Sequence, residues 1–196
     1  MKKIILASGS PRRRELMQQI GLRFEVITSD AEEKYISREP KEIVKELALM
    51  KAENVAAEIE TLDVIVIGAD TVVVRDGRIM GKPRDEAEAF AMLSRLQGRE
   101  HQVYTGVAIL NFDPEGRRIL VNHAVETKVH VHSMDTEEIR EYISTGDPMD
   151  KAGAYGIQGQ FAAYIDRIEG DYYNVVGLPV SWVYQELKRQ TRQEKA

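Results

Sequence analysis

Cysteine is absent from the chain, which excludes disulfides, zinc–thiolate centres and cysteine nucleophiles. No apolar run approaches the roughly 18 residues of a membrane-spanning helix. The opening Met1-Lys2-Lys3-Ile4-Ile5-Leu6-Ala7 looks like the start of a secretory signal, but the apolar stretch stops at Ser8. That is short of the roughly 7–15 residues of a signal core, and arginines follow, so a buried strand and a cytoplasmic location are expected. An excess of positive charge is also missing. Lys and Arg total 27 against 32 Asp and Glu, for a net charge of −5, which argues against a nucleic-acid-coating surface. Repeats and low-complexity tracts are lacking too, and 43% hydrophobic with 30% charged residues is a globular balance.

Within this acidic chain, Lys2, Lys3, Arg12, Arg13 and Arg14 cluster in the first fourteen residues with no acid among them. So local an excess suits a small anionic ligand better than a long polyanion. The surrounding pattern gives it a setting. Ile4–Ala7 predicts a buried strand, Ser10-Pro11 an N-cap and first helical position, and Gly21 the helix end. A second strand is expected near 24–28 and a helix from Pro40 to about Ile59, with Val44, Leu47, Ala48 and Val55 on one face. Val64–Ile67 reads as a buried strand ending at Gly68-Ala69-Asp70. A hairpin turning at Asp76-Gly77 follows. Asp85 with Glu88 and Asp135 with Glu138 have capping-box spacing at the starts of two further helices. Long strands near 101–112 and 118–132 lie between them. After a glycine-rich stretch over 146–160, a strand near 161–168 and a helix from Leu178-Pro179 complete the chain, with residues 188–196 expected to fray. Strands and helices alternate without a linker, so an α/β domain spanning residues 1–196 is expected, either as one unit or as two lobes around a cleft.

Ser8-Gly9-Ser10-Pro11-Arg12-Arg13 follows a strand and opens a helix, where free backbone N–H groups and the positive dipole end favour anions. Arginines there can grip phosphate oxygens two at a time, although a capped helix with solvated arginines satisfies the same pattern. Asp70, at the expected carboxyl end of a strand, can hold a hydrated cation or accept a proton from water, or merely cap a turn. Thr71 can cap the same turn or line the same pocket. Lys51 points along the apolar stripe of its helix, either as a snorkelling stem or as a cation reaching a phosphate. Lys82, between Gly81 and Pro83 on a short rigid turn, is another candidate cation or a surface hairpin lysine. Glu32 and Glu33 lie in a polar stretch and can add an oxygen ligand or stay solvated. His130 and His132 share a strand face with Lys128, a wet face rather than a zinc site. Gln158, in a loop too long for a simple turn, carries both donors and an acceptor suited to a nucleobase edge, although a purely structural loop satisfies the same pattern.

Taken in order, Ala7-Ser8-Gly9-Ser10-Pro11-Arg12-Arg13, Gly68-Ala69-Asp70-Thr71, Gly81-Lys82-Pro83, Asp150-Lys151-Ala152-Gly153-Ala154-Tyr155-Gly156-Ile157-Gln158-Gly159, Gly170-Asp171-Tyr172-Tyr173 and Gly177-Leu178-Pro179 occur as in Maf proteins. From residue 3 to about 187 the chain resembles the Maf nucleoside triphosphate pyrophosphatases, most of all their dTTP/UTP-directed branch. The resemblance implies an α/β fold with a mixed twisted sheet, flanking helices and a deep cleft between two lobes, related to inosine triphosphate pyrophosphatases. It also implies hydrolysis of a nucleoside triphosphate to monophosphate and pyrophosphate, with a divalent cation, Mg²⁺ or Mn²⁺, as cofactor. A homodimer is implied as well, since family members often dimerise. By residue, it implies Asp70 as proton acceptor and Glu33 with Asp70 as metal pair, two roles that compete because coordination lowers a carboxylate's basicity. Arg12, Thr71 and Gln158 match positions linked to substrate choice, and Ser8, Arg13, Lys51 and Lys82 match cleft-lining positions. Two other outcomes stay open: the 7-methyl-GTP branch of the same family, and a catalytically silent nucleotide-binding regulator tied to inhibition of septum formation.

Overall fold

A computed structural model describes residues 2–28, 32–59 and 63–193. Its centre is a seven-stranded mixed sheet of β1 (Lys3–Ala7), β2 (Glu25–Val26), β3 (Val64–Arg75), β4 (Arg78–Met80), β5 (Glu100–Phe112), β6 (Arg118–Val131) and β7 (Ile165–Glu169). The strand order is β2-β1-β3-β5-β6-β7, with β4 paired to β3. The helices are α1 (Pro11–Gln19), α2 (Pro40–Glu58), α3 (Glu86–Leu96), α4 (Thr136–Ser144), α5 (Tyr172–Val176) and α6 (Val180–Gln193). This is the expected α/β architecture with flanking helices. No helix among the described residues is long and apolar enough to cross a membrane.

The chain divides into two compact units, Met1–Asp70 with Thr105–Val125 and Gly177–Ala196, and Thr71–Tyr104 with Glu126–Val176. In the first, β1 runs parallel to both β2 and β3. Ile5, Ala7, Ala48, Ala52, Val55, Val64, Val66, Ala108 and Leu110 form one buried cluster between α2 and the sheet. Two glycines set how closely α2 lies. A Cβ on Gly68 would sit 2.2 Å from the Ala48 carbonyl oxygen, and one on Gly106 2.1 Å from that of Val44.

That contact explains the main departure from the expected elements. The strand does not end at Gly68-Ala69-Asp70 but runs unbroken from Val64 to Arg75. Gly68 serves the approach of a helix rather than a turn, and Asp70 is therefore a mid-strand residue. The β3–β4 hairpin at Asp76-Gly77 is as expected, with both residues at positive φ. The second expected strand shrinks to Glu25–Val26. The 161–168 segment begins as a 3-10 turn, Gln160–Tyr164, because Phe161 is fully buried among aromatic rings, and only Ile165–Glu169 pairs with β6. Asp135 and Glu138 form a complete capping box. At Asp85 the box is half made, since the Glu88 carboxylate accepts from Arg84 instead. Within the segment 188–196, α6 continues to Gln193, and buried Gln190 accepts a 2.9 Å hydrogen bond from Asn111. Residues 194–196 lie outside the described residues.

Candidate active site

In the first unit the strand–helix junction after β1 forms as the sequence predicts. The Ser10 hydroxyl accepts the Arg13 backbone N–H at 3.5 Å, with Pro11 opening the helix. Arg13 is buried, and two of its guanidinium nitrogens hold it in place. Nε donates to the Gly177 carbonyl at 2.8 Å, and one terminal nitrogen donates to the Ser8 hydroxyl at 3.0 Å. Ser8 Oγ also accepts the Ser10 N–H at 3.3 Å. Burial pulls the Arg13 guanidinium below its ordinary value. Asp70 and Glu33 pull the other way, so both carboxylates act on the same cation. Arg12, half-buried, stands beside it on the first turn of α1.

The close seat of α2 on Gly68 carries Lys51 to Asp70. Lys51 Nζ donates to Asp70 Oδ1 at 2.5 Å and pairs with Glu33 Oε1 at 2.7 Å. Its side chain is 17% exposed and that of Asp70 is 11% exposed, so the pair is largely shielded from water, whereas Glu33 is open at 57%. Lys51 thus does more than snorkel, and Asp70 caps no turn. Glu32 pairs with its neighbour Lys34. The loop that carries Glu33 is tied to α2 a second time. Glu46 accepts the Ile36 N–H at 2.8 Å and the Ser37 hydroxyl.

The two carboxylates meet on one ammonium group, a constellation of hard oxygen donors around a single positive centre. That donor set suits Mg²⁺ or Mn²⁺. A His–carboxylate group in the second unit suits one less well. His130 Nε2 lies 3.3 Å from Glu100 Oε2 and 3.0 Å from Glu169 Oε1. Lys128 and Arg167 pair with the same two carboxylates, so the charges are balanced by side chains on the sheet itself.

Thr71, Lys82 and Gln158 belong to the second unit. Thr71 is half-buried on β3, while Lys82 and Gln158 are exposed. The Lys82 turn is joined to the glycine-rich loop, where the Gly153 N–H donates to the Gly81 carbonyl at 3.0 Å. Tight packing accounts for the glycine: a Cβ at Gly153 would lie 2.9–3.0 Å from the Val73 side chain.

Two features escaped the sequence reading. Gly177, at φ 128, supplies the carbonyl that holds Arg13, and its place in a Gly-Leu-Pro motif gave no hint of that role. His101 and Tyr155 form a buried polar pair at 2.7 Å. The signal was present in the β5 alternation, since His101 shares the inward parity of Val103 and Thr105.

A family model described as Maf-like protein matches residues 3–190. The dTTP/UTP pyrophosphatase of Agathobacter rectalis is 50% identical over 200 residues, covering 96% of this chain and 98% of that protein. The protein of the same description from Carboxydothermus hydrogenoformans is 49% identical, over 95% of this chain and 97% of that one. Among solved structures, the Staphylococcus aureus Ham1 protein is similar at a TM-score of 0.41 and 19% identity, over 78% of this chain and 85% of that chain. That likeness is too slight to assign the fold, which rests on the strand order itself.

Proposed function

The chain belongs to the Maf family, and from this we propose that it is a nucleoside triphosphate pyrophosphatase acting on dTTP, UTP and related pyrimidine nucleotides. The observation that carries the reading is the shielded Asp70 carboxylate, held by Lys51 beside Glu33 and acting on the same buried arginine as Glu33. Cations and a carboxylate pair in one place are what triphosphate hydrolysis requires: charge to grip the polyphosphate and a basic oxygen to direct water.

Asp70 and Glu33 would hold the divalent cation. When bound, it neutralises phosphate charge and polarises the phosphoryl group. The remaining work falls to the chain. Ser8, Arg13 and the N–H groups opening α1 bind phosphate oxygens, with Lys51 and Lys82 adding charge. Asp70 orients the attacking water and takes its proton as the bond between the α- and β-phosphates breaks, releasing monophosphate and pyrophosphate. Arg12, Thr71 and Gln158 select the base. The cytoplasm and a homodimer are the proposed location and assembly. A panel of nucleoside triphosphates assayed for pyrophosphate, with Mg²⁺, with Mn²⁺ and with chelator, tests the reading. UTP and dTTP should lead with metal and fall to background without it. Faster turnover of 7-methyl-GTP than of any pyrimidine would overturn the branch, and no pyrophosphate from any nucleotide would overturn the activity.

A further inference from the structure

The second unit contains a buried polar pair that the reaction as described does not use. His101, on β5, is fully buried, and its Nε2 lies 2.7 Å from the Tyr155 hydroxyl, with the rings packed edge to face at 5.3 Å between centroids. His101 Nδ1 is buried with no hydrogen-bond partner among the described residues. Both polar groups have given up water for a single shared hydrogen bond, whereas two apolar rings would fill the same space without that loss. What the polar pair adds is direction, since a hydrogen bond fixes one ring against the other more narrowly than packing does.

The segment it fixes is the glycine-rich loop. Gly153 and Ala154 adopt left-handed backbone at φ 70 and φ 60, a conformation that costs a non-glycine residue energy and persists only where its surroundings enforce it. Tyr155 follows at once, as the anchor on one side. On the other side Phe161 is fully buried, its ring 4.7 Å from that of Tyr155 and 5.1 Å from that of Tyr142. Between these anchors Ile157 is buried and Gln158 is exposed, so the amide is displayed from a short span pinned at both ends.

We propose that His101 and Tyr155 are positioning residues for base selection: their hydrogen bond sets where Gln158 presents its amide to a pyrimidine ring. This rests on Gln158 reading the base, and the test separates the two. The full-length protein is compared with Tyr155→Phe, Gln158→Ala and the double variant, measuring kcat and KM for UTP and ATP alongside the melting temperature. Tyr155→Phe should lower the UTP-over-ATP preference in kcat/KM by roughly fivefold, the size of one neutral hydrogen bond, with the change in KM rather than kcat. Added to Gln158→Ala, it should lower the preference no further. A merely structural pair would lower the melting temperature and leave the preference intact, and that result overturns the proposal. So does a loss that adds to that of Gln158→Ala, because the route would then bypass the amide. If Gln158→Ala itself leaves the preference unchanged, the reading of Gln158 falls and the proposal with it. His101→Gln keeps a donor and an acceptor for the Tyr155 hydroxyl and should retain more of the preference than His101→Phe; equal losses count against the pair. Should His101→Phe fail to fold, the tyrosine series decides alone.

Discussion

Asp70→Asn removes one negative charge while keeping the shape of the side chain, and its consequences divide between stability and turnover. Lys51 loses the charge of its nearer partner, at 2.5 Å, but keeps Glu33 at 2.7 Å. Breaking a buried pair by deleting one partner costs about 3–5 kcal/mol. The surviving carboxylate and the asparagine carbonyl, which still accepts a hydrogen bond, reduce this to about 1–2 kcal/mol. For a chain of this length that corresponds to a fall of roughly 2–8 °C in melting temperature. Turnover should fall much further, by about 10²–10⁴-fold, the range for a lost general base. Nucleotide binding should largely persist, because Ser8, Arg13 and the start of α1 are untouched. Pyrophosphate release from UTP, thermal unfolding and calorimetric binding of a non-hydrolysable UTP analogue read the three effects separately. Turnover near the wild-type rate would refute the assignment of Asp70. Loss of binding equal to the loss of turnover, in a folded variant, would refute the division between grip and chemistry.

Four further outcomes are expected. Gly68→Ala drives a Cβ to 2.2 Å from the Ala48 carbonyl, so denaturant unfolding should show a loss of about 3 kcal/mol or more, or no soluble protein. Gly21→Ala, where φ is +73 but nothing lies within 4 Å, should lose only about 1–2 kcal/mol; equal losses would contradict the close seat of α2. Arg13→Lys cannot reproduce the two-directional contacts to Gly177 and Ser8, and KM for UTP should rise about tenfold in steady-state assays. Burial pulls His101 down to about 3 from an ordinary 6.5, so the unfolded chain takes up a proton that the folded one refuses. The stabilisation is complete above about pH 6.5 and drains away as pH falls toward 3. Between pH 8 and pH 5 it should account for a loss of about 2 kcal/mol that His101→Phe does not show.

Much of the molecule was legible in the sequence alone. Ser10-Pro11 opened α1, Asp76-Gly77 turned the hairpin and Asp135 with Glu138 built a capping box, because each satisfies backbone groups only a few residues away. The ordered motifs likewise pointed to the family, which the family match over residues 3–190 bears out. What tertiary structure decided was the set of meetings between distant residues. Asp70 is mid-strand rather than at a strand end because Gly68 lies under a helix whose approach no local pattern reports. Lys51 is a partner rather than a solvated stem because α2 delivers it to a carboxylate nineteen positions away in sequence. Gln160–Tyr164 is a 3-10 turn because Phe161 joins an aromatic cluster, and α6 continues to Gln193 because Gln190 finds Asn111, 79 positions away. Local hydrogen bonding is written residue by residue. A shielded charge or buried polar group is stable only where packing brings its partner to it, and that packing is a property of the whole fold.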